Sequence, residues 1–189
     1  MLPRLASALA VRDPATAAHS ARVTFLAARL AAWLGWDERR LVELRIGAPL
    51  HDIGKVAVST EILRKRGPLD ARELAEIRTH PTQGAKLVGA SGTTRPALPY
   101  VLYHHERWDG CGYPTGRAGN DIPEGARLLS VTDAYDAMTS MRPYRRALPE
   151  SRALGEIERC AGTQFDPELA RAFLAAWHAG VLIARRAAS

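Results

Sequence analysis

An all-α, single-domain fold is predicted for this chain, on three observations. Apolar residues recur with a helical period along nearly the whole length. Helix-starting residues stand ahead of those runs: Asp37, Asp70 with Glu73 three positions on, and Pro123 and Pro167. No window of four to eight residues alternates apolar and polar between turns, as a half-buried strand would.

The elements follow in order. Val23, Leu26, Ala27, Leu30 and Leu34 lie at i, i+3, i+4, i+7 and i+11, one face of a first amphipathic helix. Asp37 is a natural N-cap for a second helix that turns Leu41, Leu44 and Ala48 inward. Thr60 can cap a short helix to Arg66, stopped by Gly67-Pro68. Asp70 and Glu73 form a capping box for a helix to about Thr79, where Pro81 interrupts. Further helices are expected near 81–88, 96–105, 123–140, 150–160 and 167–183. The exception is Glu106–Gly125, with five of the fifteen glycines and two prolines. A loop this long between helices usually carries function.

Composition bounds the function. The chain has 189 residues and is 47% hydrophobic and 24% charged, which suits a globular domain rather than a disordered one. A chain this size buries roughly 70% of its unfolded surface, so it needs neither disulfide nor metal merely to fold. Cys111 and Cys160 form no C-x-x-C pair, which excludes a disulfide scaffold and points to a reducing, cytoplasmic setting. No apolar run reaches the ~18 residues of a membrane span. The net charge of +6 comes almost wholly from arginine, since only Lys55, Lys65 and Lys86 are lysines. That bias does not by itself indicate duplex nucleic acid, and a few arginines serve a small phosphorylated ligand equally well.

Chemistry concentrates at His51-Asp52-Ile53-Gly54-Lys55. Adjacent imidazole and carboxylate can reach one divalent ion, and the second carboxylate oxygen can bridge to another. Gly54 permits a sharp turn that aims Lys55 at the same place. An isolated His-Asp pair is common by chance. Here His19 lies in the first helix, His80 at the end of the helix opened by Asp70, and His104-His105 near the end of another. Asp133 lies in the helix after the loop, and of the six histidines only His178 stands outside this set. Mixed imidazole and carboxylate donors suit transition metals, and one bridging aspartate gives a paired-metal arrangement for phosphate ester hydrolysis.

These segments, RDPATAAHSARV (12–23), LHDIGKVAV (50–58), HPTQGAKL (80–87), YHHERWDGCGYP (103–114), SVTDAYDAMTSMRPYR (130–145) and GTQFDPEL (162–169), occur in an order that resembles the HD-GYP domain. The resemblance runs from about residue 11 to 173, within a single domain spanning 1–189. The family consists of helical HD-type phosphohydrolases that hydrolyse cyclic di-GMP. The resemblance implies one metal held by His19, His51, Asp52 and Asp133, and a second held by His80, His104 and His105, with Asp52 bridging. Iron or manganese is favoured, with nickel, zinc or magnesium as alternatives. Lys55 and Arg142 match positions that contact phosphate, and a metal-bridging hydroxide would attack phosphorus, giving linear pGpG and, as an open further step, GMP. Tyr113 would border the nucleotide cleft, or the GYP loop would dock a GGDEF-domain protein; otherwise Trp108, Tyr113 and Pro114 simply pin the loop. A homodimer is also compatible with the resemblance.

Three positions depart from the family pattern. Pro49 precedes the ligand pair and can kink the helix there. Met141 stands where aspartate is frequent, and Ala15, four residues before His19, replaces a carboxylate present in some members and so argues for two metals rather than three. Two rival readings stay open on sequence alone: an HD-type hydrolase of another guanine nucleotide, and a non-catalytic module that binds the messenger or a GGDEF protein.

Overall fold

The computed structural model describes residues 14–65, 67–90, 92–141 and 146–183. Among the described residues every regular element is helical: α1 (Pro14–Trp33), α2 (Glu38–Gly47), α3 (Thr60–Arg64), α4 (Ala71–Ile77), α5 (His80–Gly89), α6 (Leu98–Tyr103), α7 (Glu124–Thr139), α8 (Glu150–Arg159) and α9 (Pro167–His178). Short 3-10 turns fill the joints at Ala48–Leu50, Ile53–Ala57, Gly92–Ala97 and Gly119–Asp121.

Two starts follow the expected caps, and Asp166 adds a third that the sequence reading did not name. The Asp37 carboxylate accepts from the Arg40 amide at 2.8 Å. Asp70 and Glu73 exchange side-chain-to-backbone bonds in a complete capping box. Asp166 accepts from the Glu168 and Leu169 amides and also pairs with Arg127, tying α9 to α7.

Two layers result. The larger core lies between α1, α2, α7, α8 and α9, with Val23, Leu30, Leu44, Leu128, Ile157 and Phe173 fully buried. Tyr135 and Phe173 meet the partly buried Trp177 at one side of it, with ring centroids 4.8–6.5 Å apart. A smaller cluster of Ile53, Val88, Ala97 and Val101 lies under the short elements. The long helices thus form a frame, and the 3-10 turns with α5 and α6 pack against it.

Several expected boundaries move. Thr60 is the first residue of α3 rather than its cap; Ser59 precedes it without a side-chain capping bond. That helix ends at Arg64, and Arg66 lies outside the described residues. His80 opens α5 instead of closing α4, because Pro81 in a first turn starts a helix rather than stopping one. The expected helix at 96–105 splits into the Gly92–Ala97 turn and α6, with Pro99 in the first turn of α6. The last helix ends at His178, where Gly180 and Val181 return their amides to Trp177 and Ala176 in a Schellman motif. A matching turn at Gly35 and Trp36 ends α1, which leaves Leu34 36% exposed instead of on the buried face.

Candidate metal centre

α1 and α7 lie against each other, so His19 on one helix meets Asp133 and Asp136 on the other. His19 Nε2 is 2.9 Å from Asp133 Oδ1, and Nδ1 is 2.6 Å from Asp136 Oδ2. α2 stops at Gly47, before Pro49, and the chain turns through Ala48–Leu50. Pro49 therefore kinks no helix, and His51 and Asp52 lie in the joint between two tight turns. The following turn packs onto α5 so closely that a Cβ on Gly54 would lie 1.9 Å from the His80 carbonyl oxygen. Only glycine lets Asp52 come this near to His80.

Seven predicted ligands converge. Asp52, His80, His104 and His105 form one group, and His19, His51 and Asp133 another; within each group one ligand atom per residue lies within 4.8 Å of the others. Asp52 Oδ1 is 3.3 Å from His80 Nε2 and 3.9 Å from His104 Nε2, while Oδ2 is 3.5 Å from His51 Nε2. The two oxygens of Asp52 thus face the two groups. Lys55 Nζ lies 2.6 Å from Oδ2, so the predicted phosphate contact pairs with the predicted bridge.

The ring orientations fit cations. His51, His80 and His104 each place Nδ1 2.7–3.1 Å from a backbone carbonyl, of Ala48, Ile77, and Tyr100 with Val101. A carbonyl only accepts, so Nδ1 carries the proton and Nε2 presents its lone pair inward. His51 Nε2 is buried with no hydrogen-bond partner. His80 Nε2 and His104 Nε2 approach to 3.2 Å, two lone pairs that a cation would reconcile. These residues fit a divalent metal.

Electrostatics separate the groups. Burial disfavours charge on His19, but hydrogen bonds to Asp133 and Asp136 outweigh it and raise its pKa to about 9. Asp133 is held well below the carboxylate range despite burial, through its bond to His19 and the nearby imidazoles. On the other side burial dominates: the His105 pKa is pushed down to about 3, with the charge of His80 adding to the effect, and His104 and His80 are lowered as well. Burial also opposes charge on Asp52, yet Lys55 and the facing histidines keep it ionised.

Tyr113 stacks on His105 with ring centroids 4.8 Å apart and planes at 26°. The GYP loop is also docked at its base, where the Trp108 and Asp109 amides donate to Gln164 and Thr163. Arg142 lies outside the described residues. Ala15 is in α1 and exposed, and Met141 is 83% exposed, a surface position. Cys111 is exposed and in neither ligand group. The sequence reading missed Asp136, which is 4% exposed and accepts from Arg22 Nε at 2.6 Å as well as facing His19. Its signal was spacing: His19 and Arg22, and Asp133 and Asp136, are both i,i+3 pairs on facing helices.

A family model described as HD domain matches residues 3–169. The chain belongs to the HD-domain family. This HD domain is 39% identical, over 165 residues, to a cyclic di-GMP phosphodiesterase of Thermotoga maritima, covering 86% of this chain and 45% of that protein. It is 35% identical over 175 residues to 3'3'-cGAMP-specific phosphodiesterase 2 of Vibrio cholerae, covering 92% of this chain and 34% of that one. The chain therefore spans less than half the length of either relative. Among solved structures, an HDG"Y"P protein from Bdellovibrio bacteriovorus superposes with a TM-score of 0.70 at 22% identity, covering 86% of this chain and 52% of that one. That likeness bears out the helical HD fold.

Proposed function

We propose that this HD domain hydrolyses cyclic di-GMP to linear pGpG, with two divalent cations per chain, iron or manganese by preference, held by the two donor groups and joined by Asp52. The observation that carries the reading is the convergence of His19, His51 and Asp133 with His80, His104 and His105 on opposite oxygens of Asp52. The names of its relatives support a cyclic dinucleotide as substrate, and most of those matched are named for cyclic di-GMP.

Bound cations would supply Lewis acidity and an acidified water for attack on phosphorus. The chain's own residues do the rest. Asp52, kept ionised by Lys55 and the histidines, offers one oxygen to each donor group. Lys55 is more exposed than Asp52, so its ammonium can swing from that carboxylate to a phosphate oxygen and neutralise charge developing there. Arg142 is a second phosphate contact, its planar fork matching two oxygens. Tyr113, over His105, walls the cleft on the side of the histidine pair.

The same reading places a GGDEF-domain partner on the exposed outer edge of the loop, from Thr115 to Ala118. It also places the enzyme, as monomer or homodimer, in the cytoplasm. Both cysteines are free, and among the described residues no helix is long and apolar enough to cross a membrane.

The test is to incubate Mn2+- or Fe2+-loaded protein with cyclic di-GMP, 3'3'-cGAMP and guanine mononucleotides, and to resolve the products. Turnover of cyclic di-GMP to pGpG, abolished by chelator with helical circular dichroism retained, is expected. Preference for cGAMP or for a mononucleotide would replace the substrate, and binding without turnover would make this a non-catalytic module. Whether GMP follows is read from the same chromatogram.

A further inference from the structure

Four of the five clustered histidines have Nδ1 fixed by a hydrogen-bond partner: backbone carbonyls for His51, His80 and His104, and Asp136 for His19. Among the described residues His105 has no such bond, and its ring is oriented by the stacked Tyr113 instead. What holds Tyr113 in place therefore orients a ligand.

The answer lies next to His105. Glu106 is 3% exposed, and a buried carboxylate is costly unless its oxygens are satisfied. Its partners are all in the GYP loop. Oε1 accepts from the Thr115 amide and the Thr115 hydroxyl, both at 2.7 Å, and Oε2 accepts from the Gly116 amide at 3.1 Å. No arginine or lysine among the described residues pairs with it. Two further contacts fold the loop onto the same spot. The Tyr113 amide donates to the His105 carbonyl at 3.2 Å, and Gly112 lies so close that a Cβ there would be 2.4 Å from the Arg107 nitrogen. Arg78, two residues before the ligand His80, has its guanidinium 5.3 Å from the centre of the Tyr113 ring. The strapped tyrosine thus links the segments that carry His80 and His105.

We propose that Glu106 is a positioning residue of the metal centre: its carboxylate straps Thr115 and Gly116, holds Tyr113 across His105, and so fixes the one ligand ring that lacks a hydrogen-bonded orienter. The inference rests on the metal-centre reading above. Glu106 serves the loop rather than the reaction, which accounts for a buried acid beside the candidate ligands that belongs to neither donor group.

Glu106→Leu keeps the bulk and removes every acceptor. Thr115 and Gly116 are exposed, so their freed amides can turn to water and the frame should still fold. The test has two arms that need no turnover. Hydrogen exchange of the Tyr113, Thr115 and Gly116 amides should rise at least tenfold while α1 and α7 stay protected. Calorimetric titration with Mn2+ should show about tenfold weaker binding, in the range found when an orienting partner is lost, with two ions still bound at saturation. Tyr113→Ala added to Glu106→Leu should weaken Mn2+ binding little further, since the two act in series. If the leucine variant fails to fold, Glu106→Gln carries the test. The amide keeps one oxygen for Thr115 but turns an N–H2 toward Gly116, so exchange should rise at Gly116 and not at Thr115.

Unchanged exchange with unchanged Mn2+ affinity, or fully additive losses in the double variant, would overturn the proposal. Wild-type protein that binds no Mn2+ at all would instead overturn the metal-centre reading, and this inference with it.

Discussion

The two donor groups are built differently. His19 and Asp133 stand mid-helix on α1 and α7, elements of the large core, and His19 is paired with two carboxylates, Asp133 and Asp136. His80, His104 and His105 stand at the ends of α5 and α6, over the small cluster, and their immediate neighbours are one another. In the first group His19 is held between two aspartates, whose hydrogen bonds raise its pKa to about 9 against the effect of burial. The second group strips protons from its rings by burial and mutual repulsion, leaving lone pairs ready. One side is an acid-rich clamp on a rigid frame, and the other an imidazole cup on short turns. Asp52 belongs to the second group and turns its other oxygen toward His51 of the first, and that asymmetry is what variants can probe.

The largest effect should come from the shared residue. Asp52→Asn replaces the carboxylate that faces both donor groups with an amide that would bridge poorly and carries no charge. Metal content and turnover should fall together, to background, on both sides. Retention of two metals in that variant would break the bridging assignment.

Lys55→Ala separates chemistry from ligation. If the ammonium serves the phosphate as charge develops, kcat should drop by ~10²-fold or more with metal content intact. An unchanged rate would return Lys55 to a role as counter-ion of Asp52 only.

The mildest of the three probes the clamp alone. Asp136→Asn leaves every ligand in place but weakens the hold on His19 Nδ1, so Mn2+ affinity should fall by about 10- to 100-fold. The loss should appear in one of two binding phases. An equal loss in both phases would mean that the two groups are not separable as drawn.

Much of this was legible beforehand, for physical reasons that differ by element. The helices announce themselves through apolar period and through Asp37 and Asp70, which satisfy orphan amides wherever the tertiary structure sends them. The ends were less legible, because a proline reads as a stop or as a first-turn start depending on what precedes it, and Pro81 is the second kind. The seven candidate ligands and their division into two groups could both be named from the ordered motifs through the family resemblance, but which oxygen of Asp52 faces which group is a property of packing. Glu106 was not legible, and Asp136 left only the faint signal of its i,i+3 spacing from Asp133. Each acts through another side chain, and a carboxylate that orients a histidine or straps a loop has no composition of its own to betray it.

The central claim is that Asp52 joins two cation sites into one centre. Anomalous scattering at the manganese or iron absorption edge, from crystals of the metal-loaded protein, tests it most directly by counting and placing the ions. Two peaks are predicted, one among His19, His51 and Asp133, the other among His80, His104 and His105, with Asp52 between them. Ala15 offers only a methyl group where a carboxylate would recruit a third ion, so no third peak is expected. A single peak, three fully occupied peaks, or two peaks that do not share Asp52 would contradict the account.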